Sequence, residues 1–146
     1  MKRILIVLML ATSTAAAADA QTAADSAAIR AAALDYAEGW YEGNAERMER
    51  AVHPELAKRI VRTRRGGGAS TLDHMTAATL VEATGAGSGR NTPPARQIKD
   101  VRILDIFGGT ASVRTEMDGW VDYMHMARWN GQWRIVNVLW ELKPRS

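Results

Sequence analysis

The carboxyl-terminal part of the chain, from Ile98 to Leu142, consists of β-forming runs separated by short glycine-containing turns. Asn130-Gly131 and Asp118-Gly119 each stand between two runs rich in Val, Ile, Trp and Tyr. Such dipeptides are the strongest short-range signal for a β-hairpin, because a type I′ turn needs positive φ at both central residues. Gly108-Gly109 gives a weaker signal of the same kind. We therefore predict a four-strand antiparallel meander, with strands at Ile98–Phe107, Thr110–Met117, Trp120–Trp129 and Gln132–Leu142.

Two-residue turns also set the register of the predicted strands. We expect Met117 to pair with Trp120, and Trp129 to pair with Gln132. Because side chains alternate between the two faces of a strand, this register predicts one almost wholly apolar face that carries the core. Its apolar members are Leu104, Ile106, Ala111, Val113, Met117, Trp120, Met124, Met126, Trp133, Ile135 and Leu139. A single β-bulge would exchange the two faces beyond it.

Three polar residues interrupt this apolar face near its middle. In the predicted register Thr115 lies opposite Asp122, and Asn137 is diagonal to it, at about 7–8 Å. A carboxylate on an apolar face needs partners, because an unpaired buried charge is very costly. The cluster of Thr115, Asp122 and Asn137 is the strongest candidate site in the sequence.

The opposite face of the predicted sheet mixes charged and apolar side chains. It comprises Ile103, Arg114, Glu116, Tyr123, His125, Trp129, Arg134, Val136, Val138 and Trp140. This face is too apolar to be simply exposed to water, and contact with a partner subunit would bury it. We therefore expect a homodimer that forms through this convex face.

The first twenty residues have the pattern of a signal peptide. Lys2-Arg3 precedes an apolar run, Ile4–Leu10, and Ala18-Asp19-Ala20 fits a small-x-small cleavage site. The run is shorter than the roughly 20 residues that span a bilayer, although a retained anchor remains the alternative. We expect residues 1–20 to be a signal peptide and residues 21–146 to form one domain, exported to the periplasm or secreted and free of the membrane after cleavage.

Composition excludes several classes of function. The formal net charge is only +3, which is not the footprint of a nucleic-acid-binding protein. There is no cysteine, so disulfides and thiolate metal sites are excluded. The three histidines lack metal-ligand spacing, and no P-loop is present. We assign neither a metal nor a cofactor.

The first half of the chain reads as helices with one short hairpin. Ile29, Ala33, Tyr36 and Trp40 recur at helical spacing, with a cap expected at Asp25 or Ser26. Gly43 fits the end of this helix, and Asn44 can cap a second one that should stop at His53, before one helical turn at Pro54. A hairpin is predicted from Arg59–Arg64 and Ala69–His74 around Gly66–Gly68, and a third helix at Ala77–Thr84 with Thr76 as its cap. This order indicates an α+β domain with helices on one side of a curved antiparallel sheet.

The chain resembles the nuclear transport factor 2-like superfamily and, within it, the putative lumazine-binding branch. The resemblance rests on Tyr36–Gly43 (YAEGWYEG), Ala51–Pro54 (AVHP), Met75–Gly87 (MTAATLVEATGAG), and Val121–Met126 leading into Asn130–Asn137 (VDYMHM and NGQWRIVN). It implies a cystatin-like cone, formed by a bent sheet wrapped on N-terminal helices, with a pocket at the open end. It also implies a frequent dimer through the convex sheet face, and relatives of the ketosteroid isomerase-like and SnoaL-like kinds.

Asp122 is open to two interpretations. In an apolar cone its pKa would be raised, so it could act as a general base, with Tyr36 or Asn137 donating a hydrogen bond to an enolate oxygen. Alternatively it is a structural carboxylate whose bonds are satisfied internally. Trp40, Trp120 and Trp133 could form an aromatic wall for a flat ligand or simply pack in the core. The candidate ligand-binding residues are Tyr36, Trp40, Met75, Thr115, Trp120, Asp122, Met124, Trp133 and Asn137.

Three functions therefore follow from the sequence. The first is an exported protein that binds a flat, partly apolar small molecule and has no assigned reaction. The second is an isomerase, cyclase or dehydratase with Asp122 as its base and Tyr36 as a donor. The third is a dimeric interaction module whose functional surface is the convex face.

Overall fold

The computed structural model describes residues 7–63 and 68–144, with side chains from Gln21 onward. It contains three α-helices, α1 (Val7–Glu42), α2 (Ala45–Ala51) and α3 (Ala77–Gly85). Six strands follow the order β1 (Val52–Arg62), β2 (Thr71–Thr76), β3 (Asp100–Phe107), β4 (Thr110–Glu116), β5 (Trp120–Trp129) and β6 (Gln132–Leu142). A short 3-10 helix at Pro94–Arg96 precedes β3.

The strands form one sheet in the order β2-β1-β6-β5-β4-β3. The meander β3 to β6 is antiparallel, as predicted, and β1 pairs with β2 in the predicted hairpin. The sheet as a whole is mixed, because β1 runs parallel to β6. The helical turn expected at Pro54 is wrong: this segment belongs to β1, where Leu56, Lys58 and Ile60 alternate on the buried face. Pairing with β6 outweighs the local helical preference.

The hairpin turns set the register as expected. The Met117 amide donates to the Trp120 carbonyl at 2.9 Å, and Trp129 pairs with Gln132. Asn130 (φ 48°) and Gly131 (φ 79°) both have the positive φ that a type I′ turn needs. Ala111, Val113, Met124, Met126 and Ile135 lie in the core as predicted.

Two β-bulges place several residues on the face of the sheet opposite to the predicted one. In β6, His125 pairs with Asn137 and Met126 with Ile135, so Val136 is an extra residue. Beyond it the faces exchange, and the inward positions expected for Asn137 and Leu139 are wrong. Val138 and Trp140 pack inward instead. A second bulge at Leu104 in β3 makes Leu104 exposed and turns Ile103 toward the core.

Helix α1 presents its predicted face to the sheet. Ile29, Ala33 and Tyr36 are fully buried, and Gly43 with φ +65° ends the helix. Asn44 caps α2 by accepting from the Arg47 amide at 3.1 Å. Helix α1 begins before Gln21, so the expected cap at Asp25 or Ser26 and the expected tail at residues 21–24 are wrong. Asp25 instead contacts the sheet, where its carboxylate binds Arg128 and Trp133.

Helix α3 begins where the sequence predicts, because the Thr76 hydroxyl accepts from the Thr79 amide at 3.2 Å. The following loop returns to α1 through Arg90, which donates to the carbonyls of Glu42 and Gly43. Two predictions fall partly outside the described residues, namely the amino-terminal end of the signal peptide (1–6) and the tip of the glycine turn (64–67). No helix of the described part of the chain is both long and apolar enough to cross a membrane.

Candidate functional site

A small cavity of about 170 Å³ lies between the helices and the concave side of the sheet. Helices α1 and α3 supply one wall, β1 and β2 a second, and the ends of β5 and β6 a third. It is lined by Tyr36, Trp40, Lys58, Met75, Leu80, Trp120, Trp140 and Leu142. All but one of these side chains are apolar or aromatic, and the exception, Lys58, borders the cavity with its aliphatic stem.

Three indole rings form much of the cavity wall. Trp40 and Trp120 meet edge to face, with ring centroids 5.7 Å apart and planes at 90°. Trp120 and Trp140 are 6.3 Å apart at 71°. All three rings border the cavity, and Lys58 Nζ lies over the Trp140 ring, 4.7 Å from its centroid. Of the three indoles predicted to form a wall, Trp40 and Trp120 border this cavity.

Beneath the cavity lies a buried cluster of polar side chains. Lys58 forms an ion pair with Asp122 Oδ1 and donates to the Tyr36 hydroxyl at 2.8 Å. The Tyr36 hydroxyl donates to Asp122 Oδ2 at 3.3 Å, and Trp120 Nε1 donates to the same oxygen at 2.8 Å. Asp122 is fully buried and Lys58 is only 4% exposed. The carboxylate thus has three donors from three different elements, and this network links α1, β1 and β5.

Burial changes the acid–base behaviour of this cluster. Desolvation lowers the pKa of the Lys58 ammonium group, against the attraction of the Asp122 carboxylate. Burial raises the pKa of the Tyr36 hydroxyl well above its usual range, and the neighbouring Asp122 charge adds to this effect. Tyr36 is therefore a neutral donor at physiological pH.

The structure brings together most of the predicted site residues. Tyr36, Trp40, Met75 and Trp120 line the cavity, and Asp122 lies directly below it. Thr115 pairs with Asp122 across the β4–β5 ladder, as predicted, and its hydroxyl contacts Met124 Sδ at 3.5 Å. Thr115 and Met124 are buried in the core and are absent from the cavity lining.

Two predicted site residues lie elsewhere. Asn137 is on the opposite face of the sheet, where its side chain contacts Arg59 at 3.0 Å and His125 at 3.3 Å. The bulge at Val136 causes this displacement. Trp133 packs in the core near the middle of α1, where its indole donates to Asp25 at 3.2 Å. Asn137 and Trp133 are both absent from the lining of the 170 Å³ cavity, so neither can contact a molecule bound there.

Four residues of the cavity lining were missed from the sequence, namely Lys58, Leu80, Trp140 and Leu142. Lys58 was placed outside any strand, although its position between Leu56 and Ile60 in a period-two pattern is the signal that could have found it. Trp140 was assigned to the wrong face because the bulge was not located. Its ring lies 4.7 Å from Lys58 Nζ, in a cation–π contact.

A larger depression lies at the other end of the sheet. It measures about 490 Å³ and is lined by Glu46, Glu49, Arg50, Pro54, Trp129, Asn130, Gln132 and Arg134. It is open to solvent, and its charged side chains are exposed or bonded to the protein. Arg134, for example, donates to the Glu49 carbonyl at 2.8 Å. Enclosure by aromatic rings makes the smaller cavity the better candidate site.

Comparison with known proteins places the chain in a family. The sequence model of a family described as "Putative lumazine-binding" matches residues 24–141, which is most of the chain. Comparison with curated proteins found no match.

Solved structures share the fold at low sequence identity. A nuclear transport factor 2-like protein with a cystatin-like fold from Novosphingobium aromaticivorans has a TM-score of 0.66 at 17% identity, covering 91% of this chain and 91% of that one. A nuclear transport factor 2-like protein of unknown function from Shewanella baltica has a TM-score of 0.61 at 17% identity, covering 84% and 97%. A similar protein of unknown function from Methylobacillus flagellatus has a TM-score of 0.57 at 20% identity, covering 82% and 93%. These similarities establish a nuclear transport factor 2-like, cystatin-like α+β fold.

Proposed function

This chain belongs to the putative lumazine-binding family of nuclear transport factor 2-like proteins, and we propose that it is an exported protein that binds a small, flat, partly apolar molecule. The observation that carries the proposal is the cavity walled by Trp40, Trp120 and Trp140 above the buried Lys58–Asp122 pair. The aromatic walls supply burial, and the polar cluster beneath them holds Tyr36, Lys58 and Trp120 in place. The family description, which refers to a fused-ring heterocycle, agrees with a planar ligand.

The volume of the cavity limits the size of the ligand. Drug-sized ligands occupy pockets of roughly 300–1,000 Å³, whereas this cavity has about 170 Å³. An apolar cavity of about 150 Å³ accepts benzene. The buried part of the ligand is therefore about one substituted ring, and a steroid would have to remain largely outside.

The geometry favours binding over proton transfer. Lys58, Tyr36 and Trp120 all donate to the Asp122 carboxylate, and hydrogen bonds to a carboxylate stabilise its charged form. Asp122 is also fully buried and absent from the cavity lining, so a molecule in the cavity has no contact with it. The role of Asp122 as a general base, with Tyr36 as donor, stays a prediction without support from this geometry.

Tryptophan fluorescence tests the binding proposal. Titration with a panel of one-ring and two-ring aromatic compounds, lumazine among them, should give saturable quenching. The substitution Met75→Trp, which fills part of the cavity, should weaken binding by at least about tenfold, the equivalent of 1.4 kcal/mol. Trp129→Phe, which changes an indole outside the cavity, is the matched control and should bind as the wild type does. Absence of saturable binding by the whole panel would reject the proposal and favour the interaction module.

We further propose that the convex sheet face binds a second copy of this chain. Tyr123 and Leu139 are each about half exposed on neighbouring strands, at 51% and 53%. Arg114 and Glu116 lie on the same face, so it carries both signs of charge and can be complementary to itself in a two-fold dimer. Sedimentation equilibrium should give a dimer for the wild type and a monomer for Leu139→Arg. A monomeric wild type at micromolar concentration would reject the dimer.

Export has its own test. The mass of the protein recovered from the periplasm or the medium should correspond to a chain that begins at Gln21. A mass that includes residues 1–20 would support the retained anchor instead.

A further inference from the structure

The walls of the aromatic cavity offer no hydrogen-bonding group to a molecule inside it. In the described part of the chain, no polar atom is exposed on the lining. Lys58 Nζ is met by Asp122 Oδ1, by the Tyr36 hydroxyl and by the Trp140 ring. Trp120 Nε1 donates to Asp122 Oδ2. The cavity is therefore an apolar surface above a polar cluster whose members bond to one another.

The pyrrole edge of Trp40 also faces the protein. A Cβ atom placed on Gly89 would lie 2.5 Å from Trp40 Cδ1 and 2.6 Å from its Nε1, so this edge lies against the loop that follows α3. A polar group of a ligand placed in the cavity would lose its water and gain no partner. An unmade hydrogen bond of this kind costs on the order of tenfold to a hundredfold in affinity.

Charged side chains are found at the rim of the cavity. Leu142 belongs to the lining and is 50% exposed, so the cavity opens to solvent beside it. Arg62 lies over the Trp140 ring, with its guanidinium carbon 6.0 Å from the ring centroid, and it pairs with Asp73 at 2.7 Å. Both members of this pair are about half exposed. A polar group outside the cavity can therefore keep its water or contact a charged side chain.

We propose that the cavity binds the hydrocarbon ring of an amphipathic molecule, and that the polar group of this molecule stays outside, at the rim near Leu142 and Arg62. This inference rests on the proposed binding function and narrows it to ring-terminated hydrocarbons. Planarity and polarity are separate requirements here. Lumazine is planar, but nitrogen and oxygen atoms surround its two rings, so it falls outside the class that these walls accept.

Four compounds test where the polar atoms of a ligand can stand. Toluene and phenol differ by a methyl and a hydroxyl group on the same ring, 4-phenylbutan-1-ol carries its hydroxyl group at the end of a four-carbon chain, and lumazine is polar throughout. Isothermal titration should show toluene binding about tenfold to a hundredfold more tightly than phenol. 4-Phenylbutan-1-ol should bind at least as tightly as toluene, because its ring is buried while its hydroxyl group remains in water. Lumazine should bind more weakly than toluene.

A substitution in the wall assigns this preference to the cavity. Met75→Gln keeps the length of the side chain and adds an amide group to the lining. Met75 is only partly buried, so water can reach the new amide group when no ligand is bound. The ratio of toluene to phenol affinity should fall by about tenfold, because phenol gains a partner. Leu72→Gln, on the same strand, is the matched control and should keep the wild-type ratio, since Leu72 is 52% exposed and absent from the lining.

The outcomes separate this inference from the proposed function. Phenol binding as tightly as toluene, or a ratio unchanged by Met75→Gln, would overturn the hydrocarbon class. Lumazine binding more tightly than toluene would also overturn it and would leave the proposed binding function in place. Failure of all four compounds to bind would overturn this inference, and failure of the whole aromatic panel would overturn the proposed function as well.

Discussion

Lys58 and Asp122 lie 64 residues apart in the chain, and their side chains form an ion pair that is almost completely shielded from solvent. The contact joins β1 to the beginning of β5 beneath the aromatic cavity. Lys58 also borders the cavity, whereas Asp122 does not.

Breaking this pair on one side should cost more than removing both charges. We expect Lys58→Met to lower the free energy of unfolding by about 3–5 kcal/mol, because it leaves a buried carboxylate without its cation. Lys58→Met/Asp122→Asn should be more stable than Lys58→Met. Urea unfolding of the wild type, both single variants and the double variant gives the coupling energy directly. A double variant as unstable as the sum of the single variants would show that the two charges act independently.

Replacement of Gly89 should destabilise the fold, because Gly89 lies against Trp40. A Cβ atom at this position would lie 2.2 Å from the Trp40 carbonyl oxygen and 2.5 Å from its Cδ1. The oxygen belongs to the backbone of α1 and cannot turn away, so Gly89→Ala should cost about 1–3 kcal/mol and shift the Trp40 ring. Gly119→Ala is the matched control, since a Cβ there has no atom within 4 Å and φ is not positive. Equal stability of both variants in urea, with unchanged tryptophan fluorescence, would contradict this contact.

Asp25 should make the stability depend on pH in the acid range. Burial opposes ionisation of its carboxyl group, but hydrogen bonds from Trp133 and Gln21 and the Arg128 guanidinium outweigh it and hold its pKa below the usual 3.8. A depressed pKa gives stability that is present above about pH 4 and is lost as the pH falls through the folded-state pKa. Asp25→Asn should therefore be less stable than the wild type at pH 6, and the difference should shrink toward pH 2.5. The same series with the exposed carboxylate of Asp105 replaced by Asn is the control. A difference for Asp25→Asn that does not change with pH would rule out this titration as its cause.

Tyr36 should make the stability of the fold depend on pH in the alkaline range, with a sign opposite to that of Asp25. Its pKa is raised in the folded protein by burial and by Asp122, so its proton stabilises the fold fully below about pH 10 and progressively less above it. The stability advantage of the wild type over Tyr36→Phe should narrow between pH 9.5 and 11. Lys58 titrates in both proteins and contributes to both curves. Chemical unfolding across this pH range measures the difference in stability between the wild type and Tyr36→Phe. A difference that grows with pH would show that the pKa of Tyr36 is not raised in the folded protein.

Local signals in the sequence predicted much of the fold. Asn130-Gly131 determined one hairpin, Asn44 and Thr76 capped the helices that follow them, and the spacing of Ile29, Ala33 and Tyr36 identified the buried face of α1. Each of these features depends on interactions between residues that are close together in the sequence. The pairing of Thr115 with Asp122 followed from turn geometry for the same reason.

The site depended on features that short-range patterns do not contain. Val136 has no distinctive residue type, yet the bulge at this position moved Asn137 out of the site and Trp140 into it. Lys58 stands in a segment whose strand conformation depends on parallel pairing with β6, a partner more than seventy residues away.

The sequence by itself determined the order of the elements, their caps and turns, and the apolar face on which Asp122 lies. Only the tertiary structure decided which cation meets Asp122, which indoles surround the cavity and how large the cavity is. The physical reason is that a buried charge accepts whichever partner the folded backbone brings within hydrogen-bonding distance, and a one-residue bulge is enough to exchange the faces of a strand.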